Sequence, residues 1–542
     1  MGHSTRLQEC AVIIKAWLSQ CLTEHAGSAC CSIIKGAGPK RLVHLPLGNQ
    51  PGRLVDVLPT AAPPYVALSY VWGPPGENLK TTRANLGEMR ETIPDDRLPR
   101  TLRQVFDLVR MLEVEYLWID ALCIIQDDAA DKAAEISNMG LIYRNSLLQI
   151  AAMASHGAAS GLLPPVRAPL TTEEKAKHHL IMKACRSLRQ SDWDGVLRRD
   201  YPLLKRGWPF QERILARRII HFTQAELVWE CKCTRICECG DIEDGTGDGA
   251  SCNLINNFSA AFEACVTAGE KSRLPLAKVV PMWRECVMSY SKRDLTQEDD
   301  RLLAISGIAR LLRGPESERL YLAGLWMDAM PFDLLWRCDA SSGLDSAKTR
   351  RPTWSWWSVG CGVDWPSAQS RHQAPPQTTD PDASLEYIAS GRYFEQKLAG
   401  VSVTRAQLEP ENAGFELVNA GSLELEARTV DVDIQHHSEN ADWTKKHETE
   451  WTISAKNGQV LPFYPDTRLS GPIYREEGYR FVEIANCVLG QAKWEAGLVV
   501  QASENDPGVF ERVGMAGYAD CSPQTKDDGF FSDAAVQKVV LV

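Results

Sequence analysis

The sequence predicts an α/β fold: a doubly wound parallel sheet of five strands carrying a large insertion, followed by a helical segment and a β-rich C-terminal module. Three observations carry this. Short apolar runs bounded by Gly and Pro recur between Tyr65 and Cys231, as buried strands do. Stretches with helical spacing alternate with them, which implies right-handed crossovers and a parallel sheet covered on both faces. Late in the chain the period changes to two, as in SLELEARTVDVDI.

Taken in order, residues 1–58 read as a lead-in with one amphipathic helix. YVALSYVWGPP, from Tyr65 to Pro75, is the first buried strand and an abrupt aromatic stop. LPRTLRQVFDLVRML follows, with Leu102, Val105, Phe106, Val109 and Leu112 on one helical face and Pro99 near the start. YLWIDALCII is the second strand, DKAAEISNMGLIY the second helix and LLQIAAMA the third strand. A polar stretch from about 155 to 204 interrupts the alternation. RGWPFQERILARRIIHF then predicts a short helix opening at Pro209 and a strand over Ile219 to Phe222, with LVWEC as the fifth strand. The sheet domain spans 59–232. A helical middle region follows over 233–365, a Pro, Gln and Ser-rich linker over 366–383, and the β-rich module over 384–542.

Composition excludes several classes. A formal net charge of -11 gives no electrostatic footprint for nucleic acid. Nowhere do eighteen apolar residues run together, so no membrane span is expected. The N-terminal apolar patch is too short for a signal peptide and is broken by Lys15. With that start, 17 scattered cysteines point to reduced thiols and a cytoplasmic location.

In an open α/β sheet, ligands bind at the carboxyl ends of the strands. That edge gathers Ser69, Tyr70, Trp72 and Gly73 after the first strand, and Asp120, Cys123 and Gln126 around the second. It also gathers Ser155 and His156 after the third, and Trp208, Gln211 and Glu212 from the helix beyond the insertion. A first-turn position would let the helix dipole hold Glu212 ionised at pH 7. Glu135, a carboxylate inside an apolar helical stripe, is a second candidate. Asp120 either orients a ligand hydroxyl or holds its own loop. Cys231, Cys233, Cys237 and Cys239 lie dense in CKCTRICECG, but their one-residue gaps are not the usual zinc spacing and no His lies among them, so no metal is expected there. Trp354, Trp356 and Trp357 read as packing. Phosphate loops, dinucleotide fingerprints, serine-nucleophile elbows and zinc-protease helices are all missing from the sequence.

Three ordered motifs carry a resemblance: ALSYVWG, LWIDALCIIQDD followed by M-x-x-I-Y, and RGWPFQER with a downstream WEC. Together they resemble the heterokaryon-incompatibility (HET) domain of filamentous fungi. One departure is Lys132, where many members carry Trp. The resemblance implies a role in allorecognition and regulated cell death, with protein partners in a death pathway and self-association through this domain. The HET domain is in turn similar to the Toll/interleukin-1 receptor (TIR) domain, which implies a flavodoxin-like sheet. In enzymatic members of that wider group a Glu four residues after a Trp supports cleavage of NAD. Trp208 and Glu212 have that spacing, which makes Glu212 the first catalytic candidate and NAD a substrate rather than a cofactor. The resemblance leaves two readings open, an NAD-cleaving enzyme and a non-catalytic signalling module on the same scaffold.

Overall fold

The computed structural model describes residues 2–34, 38–48, 50–163, 171, 201–240, 243–244, 276–314, 319–330, 332–338, 351–365, 402–410, 418–436, 451–456, 458–466, 478–489, 492–503, 506–517, 531 and 534–542. The chain divides into two compact units. The first comprises Met1–Leu274 with Arg293–Glu316, the second Pro275–Lys292 with Ser317–Val542.

The first unit is built on a mixed sheet. Its described strands are β1 (Arg41–His44), β2 (Arg53–Asp56), β3 (Val66–Ser69), β4 (Tyr116–Trp118), β5 (Leu148–Ala151), β6 (Arg218–Phe222), β7 (Leu227–Cys231), β8 (Arg235–Cys237) and β9 (Glu243–Asp244). Their order across the sheet is β2-β1-β4-β3-β5-β6-β7-β8-β9. Only β4, β3, β5 and β6 run parallel. LVWEC, expected as a fifth parallel strand, is β7 and lies antiparallel to β6. The reason is chain length. Four residues separate Phe222 from Leu227, whereas a parallel crossover needs a dozen or more. Thr223 closes the turn, its hydroxyl donating to the Glu226 carbonyl at 2.6 Å. At the other edge β1 and β2 form a hairpin, β1 pairing antiparallel with β4. Residues 1–58 thus add two strands to the helix α1 (Gly2–Glu24).

Connections β3 to β4 and β4 to β5 travel in opposite directions across the sheet. Right-handed crossovers therefore place α3 (Arg100–Met111) on one face, and α5 (Ala129–Asn145) with the Trp208–Leu215 helix on the other. Each has the face it needs. α3 buries Leu102, Val105, Phe106, Leu108 and Val109, and α1, which packs on it, buries Leu7, Cys10, Ala11, Ile14 and Cys21. On the opposite face α5, the Trp208–Leu215 helix and the Leu303–Arg313 helix pack together. They approach closely because Gly140 and Gly307 meet: a Cβ on either would lie 3.2 Å from the other's Cα.

The second unit contains the β-rich module. Strands β10 (Val418–His436), β11 (Trp451–Ala455), β12 (Val460–Pro465), β15 (Phe510–Gly517), β14 (Ala492–Ala502) and β13 (Tyr479–Leu489) pair in that order, and β13 returns to β10, closing a barrel. Closure removes the open edges that a free sheet would expose. Ile453, Phe463, Phe481, Val499 and Phe531 belong to its core. Trp354, Trp356 and Trp357 are buried as packing residues. The Trp356 and Trp283 indoles both donate to the Gly324 carbonyl, at 2.9 and 2.8 Å.

Candidate functional site at the carboxyl edge of the parallel strands

The site grows from the end of β3. Ser69 is its last residue, buried, and Asp120 follows β4 on the neighbouring strand. The two positions are adjacent because β3 and β4 are parallel and paired. The Trp72 indole N–H donates to Asp120 Oδ2 at 2.8 Å, and the Ala121 amide donates to Oδ1 at 2.7 Å. Trp72 thus turns its ring across the β4 end, and the Lys80 ammonium lies 4.9 Å from its centroid, a cation–π arrangement. Tyr70 accepts a 2.6 Å hydrogen bond from Asn78 Nδ2.

Glu212 reaches the same edge from the Trp208–Leu215 helix. It stands in the second turn, not the first, since the helix begins at Trp208. The helix is held in rotation by the next residue. Arg213 makes a paired contact with Glu230 on β7, at 3.2 and 2.8 Å, and Lys232 donates to the Ile214 carbonyl at the helix end. With Arg213 turned to β7, Glu212 is directed at β3 and β4.

The electrostatics overturn one expectation. Glu212 is 5% exposed, and burial pushes its pKa up to about 8, with the nearby Asp120 charge pushing the same way. The hydroxyls of Ser69 and Tyr143 and the Arg206 charge pull it down, but by less. Glu212 is therefore mostly protonated at pH 7 rather than ionised. The macrodipole is worth roughly 0.3–1 kcal/mol and fades beyond the first turn, so desolvation wins. Asp120 is raised to about 6, again chiefly by burial, offset by the Ala121 amide and Trp72 and by the charges of Arg206 and Lys80. At neutral pH one carboxyl is charged and its neighbour is not.

Three polar atoms here are buried without a hydrogen bond of ordinary geometry: Ser69 Oγ, Asn78 Oδ1 and Glu212 Oε2, although the Ser69 hydroxyl is near enough to Glu212 to favour its charged form. Native interiors leave few such atoms, and each calls for a partner such as water or a ligand. Arg206 and Lys80 make no ion pair with a carboxylate among the described residues. Sequence reasoning missed both, and Asn78 and Tyr143 with them. For Arg206 a signal was available: it is the first residue of the RGWPFQER motif.

Other expected residues are fasteners. Trp208 donates its indole N–H to Asp300 at 3.2 Å. Gln211 accepts from the Gly307 amide at 2.6 Å, tying its helix to Leu303–Arg313. Gly73 has φ +82° and lies against Gly157, where a Cβ would meet the Gly157 Cα at 3.2 Å. Gln126 donates to the Asp120 and Ile124 carbonyls. Ser155 donates to the Gly157 carbonyl, while His156 is exposed. Cys123 is buried and accepts from the Ile119 amide. Glu135 belongs to a different cluster. Its charged neighbours are Arg41, Lys40 and Asp131, and burial raises it to about 7. The cysteines of CKCTRICECG part company: Cys231 and Cys233 face the N-terminal segment, whereas Cys237 and Cys239 lie beside Glu226.

Residues 65–212 match the heterokaryon incompatibility protein (HET) family, the match starting at Tyr65 and ending at Glu212. These residues are a HET domain. The HET domain thus contains every member of the Asp120–Glu212 cluster described above. The chain is also similar to Heterokaryon incompatibility protein 6, OR allele, of Neurospora crassa, with 38% identity over 95 residues. That similarity covers 16% of this chain and 14% of the relative. No solved structure matches the chain. Among the described residues no helix is long and apolar enough to cross a membrane.

Proposed function

We propose that this protein is a heterokaryon-incompatibility-type effector of allorecognition and regulated cell death, and that its HET domain cleaves the nicotinamide–ribose bond of NAD. The single observation carrying the chemistry is the carboxyl pair Asp120 and Glu212 with unpaired buried polar atoms beside it. The parallel strands run in the order second, first, third, fourth, which agrees with a flavodoxin-like, TIR-like sheet and its ligand crevice at the carboxyl ends.

The chemistry suits these residues. Breaking the glycosidic bond releases neutral nicotinamide and leaves oxocarbenium charge on the ribose, which a fixed carboxylate stabilises. Asp120, ionised at pH 7, fills that role. Nicotinamide in NAD is a pyridinium cation, so its arrival beside Glu212 favours the carboxylate, and the second acid ionises on binding. An ionised Glu212 then binds ribose hydroxyls or takes a proton from the attacking water, giving nicotinamide, ADP-ribose and a proton. Arg206 and Lys80 provide cations for the pyrophosphate, and the Tyr70 and Trp72 rings provide stacking surfaces.

One observation favours the other reading. Glu212 is nearly sealed from solvent, and Trp208 and Gln211 serve as fasteners, as they would in a signalling scaffold. The test is NAD consumption by the purified protein, dilute and crowded, beside Glu212→Gln, Asp120→Asn and Glu135→Gln. Loss of turnover by a hundredfold or more in the first two, on the order seen for removing a principal electrostatic group, with Glu135→Gln active, supports the enzyme. Folded proteins without turnover in any condition support the scaffold.

A further inference from the structure

We propose that Cys21, His25, Cys30 and Cys231 form a structural zinc site that pins the N-terminal segment to the sheet. The four side chains come from the end of α1, the turn after it and the end of β7, and their ligand atoms all lie within 4.8 Å of one another. His25 Nδ1 is 3.4 Å from Cys21 Sγ, 3.9 Å from Cys30 Sγ and 3.6 Å from Cys231 Sγ. Tetrahedral zinc, with Zn–S near 2.3 Å and Zn–N near 2.0–2.1 Å, requires nitrogen–sulfur edges of roughly 3.5 Å. The observed edges bracket that value. Three thiolates and one imidazole complete four-coordination and leave no open position, which marks a structural rather than a catalytic centre.

The surroundings are those of an anionic centre. Zinc with three thiolates and a neutral His carries a net charge of about minus one. Arg218 is 1% exposed and pairs with no carboxylate among the described residues. Its Nε donates to Cys21 Sγ at 3.3 Å and its Nη2 to Cys31 Sγ at 3.5 Å. A buried guanidinium without a counter-charge is costly, and the metal thiolate supplies one. The Thr234 amide donates to Cys231 Sγ at 3.3 Å, an outer contact that orients a ligand. Arg144 and Arg217 hold the intervening turn through the Ala29 and Cys30 carbonyls. Cys233 stands outside the tetrahedron, 3.6 Å from Cys30 Sγ, and donates to Ser28.

The first three ligands read C-x3-H-x4-C within CLTEHAGSAC. That spacing is compatible with a metal, but its fourth ligand lies some two hundred residues away in sequence, where the cysteines of CKCTRICECG show no His. A metal joining the two closes a long loop and transfers its binding free energy to the fold.

The experiment is elemental analysis of the full-length protein purified under reducing conditions from zinc-replete cells, followed by exchange into cobalt. About one zinc per chain, and a cobalt form with thiolate charge-transfer and tetrahedral d–d absorption, are the expected results. Cys231→Ser should bind metal at least tenfold more weakly, His25→Cys should retain it, and Cys239→Ser, in the separate cluster, should match wild type. Metal-free protein that takes up no cobalt, a disulfide among these thiols in the purified protein, or loss of metal only in Cys239→Ser would each overturn the site. The wild-type stoichiometry and spectrum decide the matter even where a serine variant fails to fold.

Discussion

At the scale of single residues, a buried acid whose folded pKa lies above its ordinary value weakens the fold as pH rises. Unfolded Glu212 loses its proton near 4.5, while folded Glu212 keeps it to about 8. Between those values the native state holds more protons, so stability falls with rising pH and levels off above 8. Glu212→Gln removes this cost. At pH 8 the variant should be more stable than wild type by on the order of 2–4 kcal/mol, and at pH 4.5 nearly equal to it, as read from urea denaturation. An activity lost while stability rises is the signature of a strained functional site. The same acids set a pH profile for NAD cleavage. If both carboxylates must be charged in the free protein, kcat/KM rises through apparent values near 6 and 8 that belong to the pair. Trp72→Phe deletes the indole hydrogen bond to Asp120, and the lower limb should move to higher pH. An unmoved limb would show that Asp120 is not the group titrating. The candidate residues were legible through their motifs, but their protonation was not. Depth of burial depends on what the other elements place around a side chain, and a helix that starts one residue earlier than expected, at Trp208, carries Glu212 out of the first turn.

At the scale of elements, the contact between α5 and the Leu303–Arg313 helix rests on glycine. A Cβ at position 307 would lie 2.6 Å from Gln211 Oε1, the atom that accepts the Gly307 amide. Gly307→Ala should cost about 1–3 kcal/mol, the usual range for overpacking. It should also disturb the neighbouring Glu212, so a loss of NAD turnover larger than the loss of folded protein is expected, measured by turnover per folded molecule. A glycine in a helical pattern announces itself in sequence, but the partner it makes room for does not. The parallel direction of β3, β4, β5 and β6 was legible because the apolar runs are joined by segments of crossover length with helical spacing. The antiparallel direction of β7 was also within reach, since HFTQAELVWEC leaves only a turn between strands. The β1–β2 hairpin was harder. Its strands are four residues each, too short for a period to emerge.

At the scale of the whole molecule, two compact units, each with its own core, predict two unfolding steps by calorimetry. Arg512 gives a way to separate them. Buried between barrel and Trp-rich segment of the second unit, it pairs with Asp466 at 2.8 Å and donates to the Leu334 and Trp336 carbonyls. Removing one partner of a buried pair costs about 3–5 kcal/mol. Arg512→Leu should therefore lower one transition and leave the other in place, and a shift of both together would show that the units unfold as one. The sequence by itself determined the alternation of strand and helix, the HET motifs, the choice of Asp120 and Glu212, and the β-rich character of the C-terminal part. The alternation and the β-rich character follow from local patterns of apolar spacing and breakers, and the choice of candidate carboxylates from their place at the strand ends together with the family resemblance. Only the tertiary structure decided that Glu212 is held protonated, that Arg206 and Lys80 stand by the carboxyl pair, that the late strands close into a barrel, and that Cys21, His25 and Cys30 meet Cys231. Desolvation, charge proximity and metal-ligand geometry are properties of distance in space, and residues some two hundred positions apart carry no mark in sequence that they will be neighbours.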